Sequence, residues 1–158
     1  MKKLDYLKTL PRKRVAVGVL FFNDKQELLV LKPSYKDDWT IPGGVVNEYE
    51  SPIAGAKREA LEEIGLNIEL DRCLIVDYVK YRIENDESES LQIIFLGKQL
   101  SVEQLRLMKL DNEEIIESKF VTLQDAYRIL GTKLSRRLQG LHENFDACVF
   151  MENGTPVL

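Results

Sequence analysis

Ile41-Pro42-Gly43-Gly44-Val45-Val46-Asn47-Glu48-Tyr49-Glu50, continued by Ser51-Pro52-Ile53-Ala54-Gly55-Ala56-Lys57-Arg58-Glu59-Ala60-Leu61-Glu62-Glu63-Ile64-Gly65-Leu66, is the stretch on which the rest of the chain depends. It reads as a glycine turn feeding a short helix. Ser51 is a good N-cap, and Pro52 falls at the first helical position, where a missing N–H costs nothing. Gly65 stands where a left-handed residue would end the helix. Ile53, Ala56, Ala60 and Ile64 recur at three- and four-residue steps, which predicts an apolar face turned to the core.

The remaining face carries Glu59, Glu62 and Glu63 at spacings i, i+3 and i+4. Three carboxylates then share an arc of about 100° and repel one another by a few tenths of a kcal/mol per pair. Arg58 can reach Glu62 and offset part of this, and Glu50 lies one loop away. A cluster of hard oxygens suits Mg²⁺ or Mn²⁺, which would remove the repulsion. Gly43 and Gly44 let backbone approach an ion or phosphate with no Cβ in the way. By themselves, three glutamates on a helix also fit a solvated acidic face.

The spacing adds what the glutamates alone do not. From Gly44 the chain runs five residues to Glu50, seven more to Arg58, then Arg58-Glu59-Ala60-Leu61-Glu62-Glu63-Ile64-Gly65-Leu66. This pattern resembles the signature of the Nudix hydrolases, with every charged and glycine position filled. Ala60 is the one soft departure, standing where a larger aliphatic is usual. The resemblance implies an α+β domain, an α/β/α sandwich with a mixed sheet between helices. It implies hydrolysis of a diphosphate linkage in a nucleoside diphosphate joined to another group X, with Mg²⁺ or Mn²⁺ as cofactor. Glu62 and Glu63 match the main metal ligands, Glu59 a further one, and the carbonyl of Gly43 the non-carboxylate ligand. Glu50 and Arg58, with Gly44 and Gly65, match structural positions of the motif. Family members often recruit one more glutamate from a late loop, as ligand or base. Of Glu113, Glu114 and Glu117, we take Glu114 as that catalytic candidate, against a plain acidic turn into a strand.

Composition sets outer limits. The 158 residues suit a single domain, residues 1–158, with residues 1–12 as an N-terminal arm. At 44% hydrophobic and 30% charged the chain is not of a disordered class. A net charge of −4 gives no global field for long nucleic acid, so a polyanionic substrate needs a metal or local cations. The expected partner is a small nucleotide diphosphate derivative. No apolar run is long enough for a membrane span or signal peptide, and a cytoplasmic location is expected. Cys73 and Cys148 fit no metal spacing and read as reduced core residues, a disulfide being the lesser option. His142, the one histidine, excludes a two-histidine metal site and reads as a surface residue.

Around the motif, Val15 to Phe22 reads as a strand returning through Asn23–Gln26 into Leu28 to Leu31 as a hairpin. Trp39 leads into the glycine turn, either packed at the sheet edge or stacking on a base, and is a candidate substrate contact. Ile68 to Ile83 holds strand segments interrupted near Asp71-Arg72, residues 85–90 a polar loop, and Leu91 to Leu96 a buried strand. Ser101 and Gln104 resemble a capping box on a short helix. Glu114 to Val121 reads as the last strand, Thr122 as the cap of a helix ended by Gly131, and Thr132 to Leu141 as a further helix. Lys133, Arg136 and Arg137 on that helix form a solvated basic face or a contact to substrate or another chain.

Substrate choice stays open between nucleotide sugars, dinucleoside polyphosphates and damaged nucleoside triphosphates. The proline that follows the box in many ADP-ribose hydrolases is absent from Ile68 to Glu84. Tyr81 lies near the spacing of a tyrosine in dinucleoside polyphosphate hydrolases, and is the second candidate substrate contact beside the reading of an ordinary strand residue. A non-catalytic nucleotide-binding or regulatory module of the same fold is the alternative. An isoprenoid diphosphate isomerase wants a poised cysteine, for which Cys73 is poorly placed. The resemblance also allows a homodimer.

Overall fold

The computed structural model describes residues 2–80, 82, 84, 88–141 and 145–158. Tyr81, His142 and residues 85–87 of the polar loop lie outside the described residues. An exposed helix α1 (Lys3–Thr9) precedes β1 (Arg14–Leu20), β2 (Leu28–Pro33) and β3 (Gly43–Val45). Then come α2 (Pro52–Ile64), β4 (Leu70–Val79), β5 (Ser90–Gly97), α3 (Val102–Leu107) and β6 (Ile115–Val121). The chain closes with α4 (Leu123–Ile129), α5 (Thr132–Gln139), β7 (Val149–Glu152) and β8 (Thr155–Pro156).

Six strands form a mixed sheet in the order β3-β1-β5-β4-β7-β8, and β2 pairs antiparallel with β6 as a second, two-stranded sheet. β1 runs parallel to β5 and antiparallel to β3, while β4 runs antiparallel to β5 and parallel to β7. Alternation along β1 and β2 divides the core into two layers. Val17, Val19, Phe21, Leu29 and Leu31 pack with Ala56, Ala60 and Ile64 of α2. Leu20, Leu28 and Val30 pack with Ala126 of α4 and Leu138 of α5. Helices thus cover both faces, the expected α/β/α sandwich.

The local signals of α2 hold. Ser51 Oγ accepts from the Ala54 N–H at 3.1 Å, and Gly65 closes the helix at φ 70° with its N–H on the Leu61 carbonyl. The capping box of Ser101 and Gln104 and the Thr122 cap are present, and the strand irregularity near Asp71 is a register shift of β4 against β5.

Four expectations change. The hairpin through residues 23–26 bends back as expected, but its arms join at the Phe22–Leu28 bridge and then enter different sheets, because β2 takes β6 as its partner. Ile53 is exposed, since the buried side of α2 is Gly55, Ala56, Ala60, Glu63 and Ile64, a stripe rotated away from the first turn. β6 is not the last strand: β7 and β8 extend the sheet beyond β4. That extension also corrects the reading of the cysteines as core for one of the two: Cys73 packs against the core layer of α2, but Cys148 is exposed. Parallel pairing of β4 with β7 brings half-buried Cys73 and exposed Cys148 together as free thiols with sulfurs 3.7 Å apart.

Candidate active site

The site forms where β3, at the edge of the six-stranded sheet, meets α2. Gly43 and Gly44 pair with Gly18 and Val17 of β1. Gly43 has φ 155°, and a Cβ there would lie 2.1 Å from the Val17 carbonyl oxygen, so backbone meets backbone and only glycine fits. A Cβ on Gly44 would lie 2.5 Å from the Glu59 carboxyl group. The paired glycines therefore let the turn close against β1 on one side and receive a glutamate of α2 on the other.

Arg58 ties the loop to the helix. Its Nε and Nη2 donate to the two oxygens of Glu50 at 2.8 and 3.0 Å, Nη1 donates to Glu59 at 2.7 Å and to Glu62 at 2.9 Å, and Nη2 also reaches the Val45 carbonyl at 3.0 Å. All donors of the guanidinium fork are thereby used, which a lysine could not reproduce. The Arg58 hydrogen bonds, helped by the Asn47 N–H, pull the Glu50 carboxyl down to about 2. Arg58 itself is raised by the same pairing.

Glu63 behaves oppositely. It is 5% exposed and its carboxylate accepts the Gly43 N–H at 2.9 Å. Among the described residues no lysine or arginine pairs with it. Burial lifts its carboxyl to about 8; the Gly43 N–H opposes the rise, and the charges of Glu59, Glu114 and Asp111 add to it. The acidic face read from spacing is therefore not uniform: Glu62 is open to solvent, whereas Glu63 belongs to the buried side of the helix.

The loop before β6 brings Glu114 into this electrostatic neighbourhood, although its side chain stays exposed. Asp111, not singled out from sequence, organises that loop by accepting the N–H groups of Glu113, Glu114 and Ile115 on one oxygen. Glu117 sits on β6 opposite Lys32. Tyr35 was also missed: it lines the cleft over the glycine turn, and its hydroxyl pKa is raised by burial and then by the charges of Glu114 and Glu63.

A cleft of about 550 Å³ opens over the glycine turn, lined by Tyr35, Lys36, Trp39, Gly43, Gly44, Gln92, Lys133 and Arg137 among others. Trp39 is half-buried against the layer of α4 and α5, and the Lys119 ammonium stands 4.1 Å from its ring centroid. Edge packing and a place in the cleft are thus both true of this residue. Arg137 does not belong to a solvated face: its Nε donates to the fully buried Asp77 at 2.5 Å, and Asp77 also takes the Gly154 N–H at 3.0 Å. That partner lies 60 residues away on β4, and no local spacing marks it.

Whether these residues suit a divalent ion can be judged from their donors. Gly43, Glu59, Glu62 and Glu63 offer hard oxygens of the kind Mg²⁺ and Mn²⁺ take, and no described cation pairs with buried Glu63. Among the described residues no group of three such side chains is drawn to one point, because Arg58 holds Glu59 and Glu62. The donor chemistry fits the ion; engaging it asks the two outer glutamates to share or leave Arg58.

Fold and site together define a class of α/β/α domains in which an acidic helix is clasped to a glycine turn at a sheet edge. The MutT protein from Methanosarcina mazei Go1 shares this architecture at a TM-score of 0.67 and 26% identity, over 87% of this chain and 96% of that one. An RNA pyrophosphohydrolase of Ruthia magnifica subsp. Calyptogena magnifica is 41% identical over 56 residues, 35% of this chain and 31% of that protein. Diphosphoinositol polyphosphate phosphohydrolase 2 of Rattus norvegicus is 42% identical over 66 residues, 40% of this chain and 36% of that protein. The matches span about a third of the length of these curated relatives. The model of the NUDIX domain matches residues 12–142, and the chain belongs to that family.

Proposed function

We propose that the protein is a metal-dependent hydrolase that cleaves a diphosphate linkage in a nucleoside diphosphate joined to a further group X. The observation that carries this reading is the Glu63 carboxylate, buried without a cation among the described residues and held by the Gly43 N–H, with the Glu59 carboxyl group directly under Gly44. The names of the two curated relatives, both phosphohydrolases, support the reaction class.

Glu59, Glu62, Glu63 and the Gly43 carbonyl would hold Mg²⁺ or Mn²⁺. A bound divalent ion supplies neutralisation of phosphate charge and a lowered pKa for water. The chain's part is to position. Arg58 and Glu50 hold the loop and helix in register, and the cleft beside Trp39 receives the nucleotide or X. Water attacks phosphorus, a new P–O bond forms, and the anhydride P–O bond breaks with its electron pair leaving on the departing phosphate. Glu114 is our choice for the carboxylate that takes the proton of that water, being the late-loop glutamate whose charge Glu63 feels.

The test is product release with Mg²⁺ and with Mn²⁺ on nucleoside triphosphates, ADP-ribose, nucleotide sugars and dinucleoside polyphosphates, with an EDTA control. Cleavage of one class well above the rest, only with metal, is the expected result. A silent panel from folded, metal-binding protein would favour the non-catalytic binding module.

A further inference from the structure

The two cysteines meet because of an irregularity in β4. Its register against β5 slips between Cys73 and Ile75. Leu74 and Ile75 therefore both turn into the layer of α4 and α5, while Cys73 packs with the layer of α2. A bulge of this kind adds a residue to one strand and re-aims the side chains beside it. Val149 of β7, the register partner of Ile75, is buried in the layer of α4 and α5 together with Met151, whereas Phe150 and Glu152 are exposed. Cys148, next to Val149, falls on the opposite face, the one that Cys73 occupies. Under strict alternation along β4, Cys73 would share the face of Ile75, and the sheet would part the thiols.

The result is a dithiol whose members differ in access. The sulfurs are 3.7 Å apart and both thiols are free, with Cys148 exposed and Cys73 half-buried. Among the described residues no third histidine, cysteine or carboxylate completes a metal-holding group with them. Neither lines the cleft over the glycine turn. Asp77, four residues further along β4, takes the Gly154 N–H beyond β7. A side chain thus already ties the two strands at that end, and a bond at Cys148 would tie the other.

We propose that Cys73 and Cys148 form a reversible redox site, oxidised by a small-molecule disulfide of the glutathione class, whose disulfide staples β7 to β4. The exposed Cys148 thiolate attacks one sulfur of the small disulfide, giving a mixed disulfide and expelling one small thiol. The Cys73 thiolate then attacks the Cys148 sulfur, the protein disulfide forms, and the second small thiol leaves. Two protein thiols are oxidised, one small disulfide is reduced to two thiols, and the protons released by the cysteines end on the leaving thiolates. Burial, and then the neighbouring Cys148, push the Cys73 thiol up to about 12, which makes Cys148 the first attacking sulfur. Once Cys148 is held in the mixed disulfide, it carries no charge to oppose ionisation of Cys73.

The test uses the full chain in glutathione buffers run from reducing to oxidising, quenched with iodoacetamide and read by intact and peptide mass. Oxidised wild type should lose the mass of two hydrogens as a monomer, with the Cys73 and Cys148 peptides linked, and dithiothreitol should restore both thiols. Cys73→Ala should stop at the mixed disulfide with one glutathione on Cys148, whereas Cys148→Ser should acquire little, because Cys73 is half-buried. The linked residues stand 75 apart in the chain. A cross-link of that span should raise the thermal midpoint by about 10 °C over the reduced form, a gain that dithiothreitol removes and neither variant shows. A wild type that keeps both thiols in the oxidising buffer, or gathers glutathione on Cys148 without the link, overturns the site. So does a disulfide formed only between two chains. A linked monomer whose midpoint is unchanged or lowered overturns the staple.

Discussion

Replacing Glu63 by glutamine should separate stability from activity. The carboxyl is lifted from 4.5 to about 8, chiefly by burial. Between those values the folded state keeps a proton that the unfolded state has lost, so stability falls as pH rises. The slope is about 1.4 kcal/mol per pH unit, and the loss is complete above the folded pKa, at about 5 kcal/mol. This contribution is fully present below the unfolded value of 4.5 and gone once pH has passed through 8. The side-chain amide of E63Q still offers an oxygen to the Gly43 N–H but does not titrate. Urea unfolding of metal-free protein at pH 6.0 and 8.5 should therefore show the wild type weakening by about 3 kcal/mol, with E63Q free of that slope. Mn²⁺ should recover the wild type at pH 8.5 by binding the ionised folded state, and should do little for E63Q. Turnover of E63Q should fall by orders of magnitude, because electrostatic stabilisation of the transition state is the main catalytic term. A metal-free wild type whose stability is flat or rising over this range, or an E63Q variant with the same slope, would refute the reasoning.

Three further outcomes are expected. Gly43→Ala should lose more stability than Gly44→Ala in thermal unfolding, because the new Cβ meets the Val17 backbone at 2.1 Å in one case and a movable Glu59 side chain at 2.5 Å in the other. Gly44→Ala should fold and lose activity by displacing that carboxylate; comparable destabilisation in both would contradict the contrast. Asp77→Ala leaves Arg137 without its buried counter-charge and should cost about 3–5 kcal/mol in urea, as broken buried pairs do. Under iodoacetamide at pH 8, peptide mass analysis should find Cys148 alkylated well before Cys73, which is half-buried and whose thiol burial pushes up to about 12. Equal rates would mean that the β4–β7 pairing opens freely.

Much of the site was legible because its information is local. Ser51, Pro52 and Gly65 delimit α2 by capping chemistry that acts within one turn, and the Glu50–Arg58 link needs only a short loop. Glu63 was named from its spacing, but its burial was not readable. Whether a helical residue at i+4 faces water or core depends on where the helix docks, and the glycine turn of β3 draws that edge of α2 inward. Ile53 was misplaced by the same rotation. The strand partners of β2 and the existence of β7 and β8 were missed because pairings across many residues leave no periodic trace.

The amino-acid sequence by itself determined the family motif, the helix that carries it, the alternating strands and the supply of oxygen ligands. Each of these is written in residue type and spacing over a few turns of chain. Tertiary structure alone decided which glutamate loses water, where Arg137 finds Asp77, and that Cys73 from β4 meets Cys148 beside β7. Burial and charge are sums over neighbours, and those neighbours are chosen by the packing of distant segments.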